Sequence, residues 1–90
     1  PANSVDAVLL FNILHAENPV DLFRVAAEVV CPGGRILAIH WRSDLPTPRG
    51  PALSIRPRPE QIAEWARSVG LRPEPSQLLP PWHFGLVVRR

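Results

Sequence analysis

Two apolar stretches without alternation, separated by a helix-like stretch, dominate the hydrophobic pattern of this chain. The first runs from Val5 to Ile13, and the second runs from Arg35 to Trp41, in which residues 36–39 are all apolar. Runs of this kind are typical of strands that are buried on both faces of a sheet. Because a strand, a helix and a strand in succession normally place the two strands in parallel, we expect these stretches to be parallel neighbours.

The stretch between them predicts a helix from about Pro19 to Val30. Asn18 is a suitable N-cap residue, proline suits the first helical position, and Asp21 would lie near the positive end of the helix dipole. Residues 31–34, which read Cys-Pro-Gly-Gly, end the helix because proline cannot continue it and glycine permits a tight turn. We expect one face of this helix to pack on the sheet.

The second half of the chain is rich in proline and predicts smaller elements. Residues 42–58 form a long connection whose prolines favour a stiff wall or lid. A second helix is predicted from about Pro59 to Gly70, with apolar residues at helical spacing. Residues 71–79 predict an edge strand weakened by two prolines, and residues 82–88 predict a last strand antiparallel to it.

Length and composition are those of one small globular domain. Of the 90 residues, 46% are hydrophobic and 20% are charged, and the net charge of +2 comes from arginines scattered among acids. This distribution favours neither nucleic-acid nor membrane binding, and no apolar run approaches the ~20 residues that span a bilayer. One cysteine excludes an intrachain disulfide and fits a cytoplasmic location. Because the chain opens at Pro1 and contains no methionine, we expect it to be the back part of a longer protein.

Polar and aromatic residues follow both predicted strands, where open parallel sheets bind their ligands. His15 and His40 are the candidates for catalysis, since either imidazole could act as a base. Each could equally be a strand-end residue satisfied by a neighbour. Trp41 could either stack on a flat ligand or anchor the loop that follows it.

His15-Ala16-Glu17, together with the downstream Cys31, partly matches the signature of zinc deaminases. The cysteine and proline stand in reversed order, and the second cysteine of the signature is absent. At most two ligands remain for an ion that needs three ligands and a water. We therefore predict no metal site.

Three segments, VDAVLLFNILH, NPVDLFRVAAEVVCPGGRILAIHW and PEQIAEWARSVGL, together resemble the carboxyl-terminal half of a class I S-adenosylmethionine-dependent methyltransferase of the small-molecule type 11 or 25 kind. The segment Val-Cys-Pro-Gly-Gly before the second strand is similar to the family's L-K-P-G-G-x-L. The resemblance implies an α/β, Rossmann-like fold with two flanking helices. It implies strands four to seven of a seven-stranded sheet in the order 4, 5, 7, 6, with the last strand antiparallel.

The resemblance also implies the positions of the binding residues. The cofactor S-adenosylmethionine would contact Phe11, Asn12 and His15. The small-molecule substrate would contact His40, Trp41, Arg42 and the loop after them. The family's glycine-rich loop after its first strand and the acid after its second strand, which hold most of the cofactor, do not occur in these 90 residues. We therefore expect the chain alone to bind the cofactor poorly and to be inactive.

The sequence is compatible with two functions. In the first, the intact protein transfers a methyl group from S-adenosylmethionine to a small acceptor. In the second, the chain is a non-catalytic α/β module that binds another chain or a second copy of itself. The edge of Val5 to Ile13 would then supply unpaired backbone groups for the added strand.

Overall fold

The computed structural model describes residues 2–14 and 18–90. His15, one of the residues assigned to the site from the sequence, lies outside these ranges, as do Pro1 and the two residues after His15. The elements are β1 (Val5–Phe11), α1 (Pro19–Val29), β2 (Val30–Trp41), a 3-10 turn (Leu53–Ile55), α2 (Pro59–Ser68), β3 (Arg72–Pro73), β4 (Gln77–Leu79) and β5 (His83–Arg89).

The strands form one mixed sheet in the order β1-β2-β5-β3, and β4 also pairs with β5. β1 and β2 are parallel, with Leu10 opposite Ala38. β5 is antiparallel to β2 and to both short strands. This order confirms the predicted parallel pair, the proline-interrupted edge and the antiparallel last strand, which lies between β2 and the edge. It is also the arrangement that the resemblance implies.

Both helices lie on the same face of the sheet. Phe23 and Ala26 of α1 and Ile62 and Ala66 of α2 are buried, and they form one core with buried strand residues. The polar residues of α1 face away from this core, as its helical periodicity predicts. Asn18 occupies the predicted N-cap position, although its side chain makes no capping hydrogen bond.

The prediction that both long strands are buried on two faces is wrong for this chain. Burial alternates along β2, where Ile36 is buried and Leu37 is half-buried. In β1 only Leu10 is buried, whereas Leu9 is 69% exposed and Phe11 is 55% exposed. The helices of this chain lie on one side of the sheet, and successive strand side chains point to opposite sides. The other side, called the open face below, is therefore apolar and accessible.

β2 begins earlier than predicted. The strand starts at Val30, directly after α1, so residues 31–34 continue it and do not form a separate tight turn. The pairing with β1 shifts its register between Val5 and Ala7. Glycine is needed at position 34, because a Cβ atom there would lie 2.9 Å from the carbonyl oxygen of Asp6.

None of the helices in the described ranges is long and apolar enough to cross a membrane.

Candidate functional site

The carboxyl end of β1 turns at Asn12, two residues earlier than the sequence predicts. The φ angle of Asn12 is +57°, in the left-handed region that asparagine adopts more readily than most residues. Its backbone N–H donates to the carbonyl oxygen of Ile39 at 2.8 Å. Its side-chain Nδ2 lies 3.5 Å from Nε2 of His83, and its Oδ1 is buried with no hydrogen-bond partner in residues 2–14 and 18–90. The tip of β1 therefore holds a buried amide oxygen whose acceptor capacity is unused within these ranges.

Three rings from three strands form a row on the open face beside Asn12. The ring centroids of Phe11 and His83 are 5.9 Å apart, and those of His83 and Trp41 are 4.2 Å apart in a stacked arrangement. His83 reaches this position because β5 is antiparallel and begins where β1 and β2 end. His83 is not among the site residues predicted from the sequence, although the predicted antiparallel last strand begins at this edge.

The indole ring of Trp41 is half-buried and packs against three neighbouring residues. His83 stacks on it, the guanidinium carbon of Arg56 lies 5.9 Å from its centroid, and Gly50 lies against its pyrrole part. A Cβ atom at position 50 would be 2.8 Å from Nε1 of the indole. This packing favours the interpretation in which Trp41 anchors the loop after β2 over the one in which it stacks on a ligand.

Arg42 and Asp44 form a two-point ion pair directly after β2. Nε of Arg42 donates to Oδ1 at 2.9 Å, and its Nη2 donates to Oδ2 at 2.8 Å. The hydrogen bonds from Arg42 lower the pKa of the Asp44 carboxyl, and those same bonds raise the pKa of Arg42. The geometry holds both side chains in one orientation.

Both residues of this ion pair line a cleft of about 290 Å³. Arg58 and Glu60, at the start of α2, line another part of the cleft, and Leu78 and Phe84 supply apolar lining. We call this space the loop cleft. It combines apolar surface with a few fixed polar groups, which is the usual character of a small-molecule site.

His40 lies on the opposite face of the sheet from His83. Its side chain is fully buried, its ring centroid is 6.5 Å from that of Phe84, and its Nδ1 is 3.3 Å from the carbonyl oxygen of Trp41. The structure thus brings Phe11, Asn12 and Trp41 together through His83, while the ring of His40 points into the core. No group of three or more metal-ligating side chains occurs in the described part of the chain.

Comparison with known proteins gives matches among solved structures, whereas neither a protein-family model nor a curated protein matches the sequence. A protein from Sulfolobus solfataricus, described as a type 11 methyltransferase, superposes with a TM-score of 0.81 and 32% sequence identity. The match covers 100% of this chain and 52% of that protein. The chain has the fold of the carboxyl-terminal half of a class I S-adenosylmethionine-dependent methyltransferase.

Two further solved methyltransferases have the same fold. A SAM-dependent methyltransferase from Aquifex aeolicus gives a TM-score of 0.87 at 18% identity, over 99% of this chain and 47% of that one. A 1,6-didemethyltoxoflavin-N1-methyltransferase from Burkholderia thailandensis, solved with bound 1,6-didemethyltoxoflavin and S-adenosylhomocysteine, gives a TM-score of 0.77 at 19% identity. That match covers 100% of this chain and 45% of the Burkholderia protein. The chain therefore spans about half the length of these methyltransferases.

The tip of β1 in this methyltransferase half fits one part of the cofactor. The buried Oδ1 of Asn12 can accept a hydrogen bond from an amine, and the exposed ring of Phe11 offers apolar contact beside it. The methionine part of S-adenosylmethionine has an amine and, beside its cationic sulfur, apolar methylene groups. The tip therefore fits the methionine end of the cofactor.

Proposed function

We propose that the intact protein is a methyltransferase that transfers the methyl group of S-adenosylmethionine to a small-molecule acceptor. The observation that carries this proposal is the match over the whole chain, at 32% identity, to the Sulfolobus protein. The Burkholderia neighbour, which is named for its methylation of a small molecule, supports the acceptor class. S-adenosylmethionine supplies an electrophilic methyl group, and the protein aligns the acceptor in line with it.

The two sides of the reaction belong to two parts of the site. Phe11 and Asn12 bind the methionine end of the cofactor, and His15 remains a further candidate from the sequence. The acceptor enters the loop cleft, where Arg42 is held in place by Asp44. Trp41 is connected to both parts. Its ring stacks on His83, which lies beside Asn12, and its backbone continues directly into Arg42.

His83 is the more accessible of the two described histidines, although it does not line the loop cleft. Its imidazole is on the open face, next to the amide of Asn12, whereas the imidazole of His40 is fully buried. A general base must come within hydrogen-bond reach of the proton that it removes. Since neither described histidine lines the loop cleft, we assign no general base among the described residues, and we assign His40 to the support of the end of β2.

Calorimetric titration with S-adenosylhomocysteine tests the proposal. The intact protein should bind it, and the 90-residue chain should give no measurable heat, because the chain lacks the glycine-rich loop of the family. Absence of heat from the intact protein would overturn the proposal. Tight binding by the 90-residue chain would contradict the assignment of most cofactor contacts to the missing loop.

A matched pair of variants tests the role of the β1 tip. In the intact protein, Asn12→Ala should weaken binding of S-adenosylhomocysteine by roughly tenfold, which corresponds to the loss of about one hydrogen bond. Leu9→Ala, on the same strand but farther from the tip, should change binding by less than about twofold. Equal effects of the two variants would contradict a specific contact at Asn12.

The exposed edge of β1 supports a second candidate function, assembly by strand addition. β1 pairs only with β2 in the described residues, and Leu9 and Phe11 are 69% and 55% exposed beside its free edge. A second copy could add its own β1 there and continue the sheet. Light scattering on the 90-residue chain tests this function: a dimer at micromolar concentration would support it, and a stable monomer would contradict it.

A further inference from the structure

Arg56 is a buried arginine within the long connection between β2 and α2. Arg56 is only 7% exposed, although most other residues of the connection are exposed. Burial of a guanidinium is unfavourable unless its N–H groups find acceptors. No carboxylate among the described residues forms an ion pair with it, so the acceptors must be neutral groups.

The guanidinium of Arg56 donates to three backbone carbonyls of the connection. Its Nε donates to Pro51 at 2.9 Å, its Nη1 to Arg42 at 3.1 Å, and its Nη2 to Arg49 at 3.2 Å. These carbonyls belong to the start and the middle of the connection, which contains little regular structure apart from the turn Leu53–Ile55. The planar fork of arginine can bind several acceptors at fixed angles, which the single ammonium of lysine cannot do.

The same guanidinium connects the loop to the end of β2. Its carbon atom lies 5.9 Å from the centroid of the Trp41 ring, within the range of a cation–π contact. Gly50, between two of the carbonyls that Arg56 binds, lies against the same ring. Arg56, Gly50 and Trp41 therefore form one packed unit, which we call the arginine clasp.

The arginine clasp is connected by a hydrogen bond and along the chain to residues that line the loop cleft. Arg42, whose carbonyl accepts from Arg56, lines the cleft together with Asp44. Arg58 and Glu60, which also line it, follow Arg56 by only two and four positions. A shift of Arg56 would therefore be passed on to Arg42 through the hydrogen bond and to Arg58 through the chain.

We propose that Arg56 is the positioning residue that shapes the loop cleft for the acceptor. The role of Arg56 in acceptor binding rests on the proposed function. Its role in ordering the loop is independent of the proposed function. Arg56 contacts neither the acceptor nor the cofactor in this proposal. It acts through the carbonyls of Arg42, Arg49 and Pro51.

Amide hydrogen exchange on the 90-residue chain tests whether Arg56 holds the loop. In Arg56→Met, amides of residues 42–55 should exchange at least tenfold faster, while buried amides of β2 and β5 should keep their rates. Arg56→Lys retains the charge and provides a milder variant that should give an intermediate effect. Arg49→Met removes an exposed arginine side chain from the same loop and should leave exchange unchanged. Unchanged exchange in residues 42–55, or an equal increase throughout the chain, would overturn the proposal.

Steady-state kinetics of the intact protein test the link to the acceptor. Arg56→Lys should raise KM for the acceptor at least fivefold, with a smaller change in kcat and an unchanged Kd for S-adenosylhomocysteine. An unchanged KM would overturn the role in acceptor positioning, even if the loop exchanges faster. Absence of methyl transfer by the unaltered intact protein would overturn the proposed function, and the exchange measurement would then still decide whether Arg56 holds the loop.

Discussion

The indole ring of Trp41 stacks on the imidazole of His83, with ring centroids 4.2 Å apart and an interplanar angle of 29°. The two residues are directly opposite each other in the β2–β5 ladder. The backbone N–H of Arg42 continues this pairing by donating to the carbonyl oxygen of Trp82 at 2.7 Å. The stack thus fixes the end of β2, from which the long loop departs, to the start of β5.

Removal of the Trp41 ring should reduce stability more than removal of the neighbouring Trp82 ring. Trp41 is half-buried among His83, Gly50 and Arg56, so Trp41→Ala should lower the free energy of unfolding by about 2–3 kcal/mol. Trp82 is 39% exposed, and Trp82→Ala should cost less than about 1 kcal/mol. Urea unfolding of both variants measures the difference. Equal losses would show that Trp41 does not anchor the loop.

Two glycine substitutions should separate backbone strain from steric overlap. Gly50 and Gly70 both have positive φ angles, of +101° and +83°, and alanine at either position should cost about 1 kcal/mol in strain. Only at position 50 would the added Cβ atom overlap a side chain, that of Trp41. Gly50→Ala should therefore lower the urea midpoint further than Gly70→Ala. The opposite order would contradict the close packing of the loop on the indole.

A charge at either of two adjacent leucines of β1 should have very different effects on stability. Leu10 is 5% exposed in the core, and Leu10→Asp would bury a carboxylate without a partner at a cost above ~4 kcal/mol, enough to unfold a marginally stable chain. Leu9 is 69% exposed on the open face, so Leu9→Asp should change stability by about 1 kcal/mol or less. Circular dichroism and urea unfolding distinguish the two. Loss of folding in Leu9→Asp would show that β1 presents its other face to the core.

The Arg42–Asp44 pair should shift the titration of the Asp44 carboxyl. The hydrogen bonds from Arg42 lower its pKa below the ordinary value of 3.8, so the pair is fully formed above pH 3.8. It is lost as the pH falls through the lower pKa of the folded state, because protonation of Asp44 removes the charge that Arg42 binds. Carbon-13 NMR of the carboxyl group measures this pKa. In Arg42→Met it should rise toward 3.8, and a pKa that is the same in both proteins would contradict the pairing.

The order of elements was predictable from local pattern because each signal is contained in a short segment. The helix at Pro19–Val29 follows from its apolar spacing and its starting residues, and the parallel pairing of β1 with β2 follows from the helix between them. The antiparallel last strand follows from a short connection that leaves room for no crossover. The location of the functional site at the strand ends follows from the same parallel pairing and stays a prediction.

The sequence did not determine which residues meet at that site. His83 and Arg56 are distant from Asn12 and Trp41 in the chain, and no local pattern distinguishes Arg56 from the solvated arginines near it. Arg56 is buried because the proline-rich loop brings three backbone carbonyls and the indole ring of Trp41 together around it. This path of the loop is a tertiary feature.

The amino-acid sequence by itself determined the kinds of elements, their order and the parallel direction of the first two strands, since hydrophobic period, capping residues and chain breaks act over a few residues. Only the tertiary structure decided that both helices cover one face of the sheet, that the other face stays open, and that Arg56 is enclosed. These features depend on contacts between residues far apart in the chain, and such contacts leave no periodic signal in the sequence.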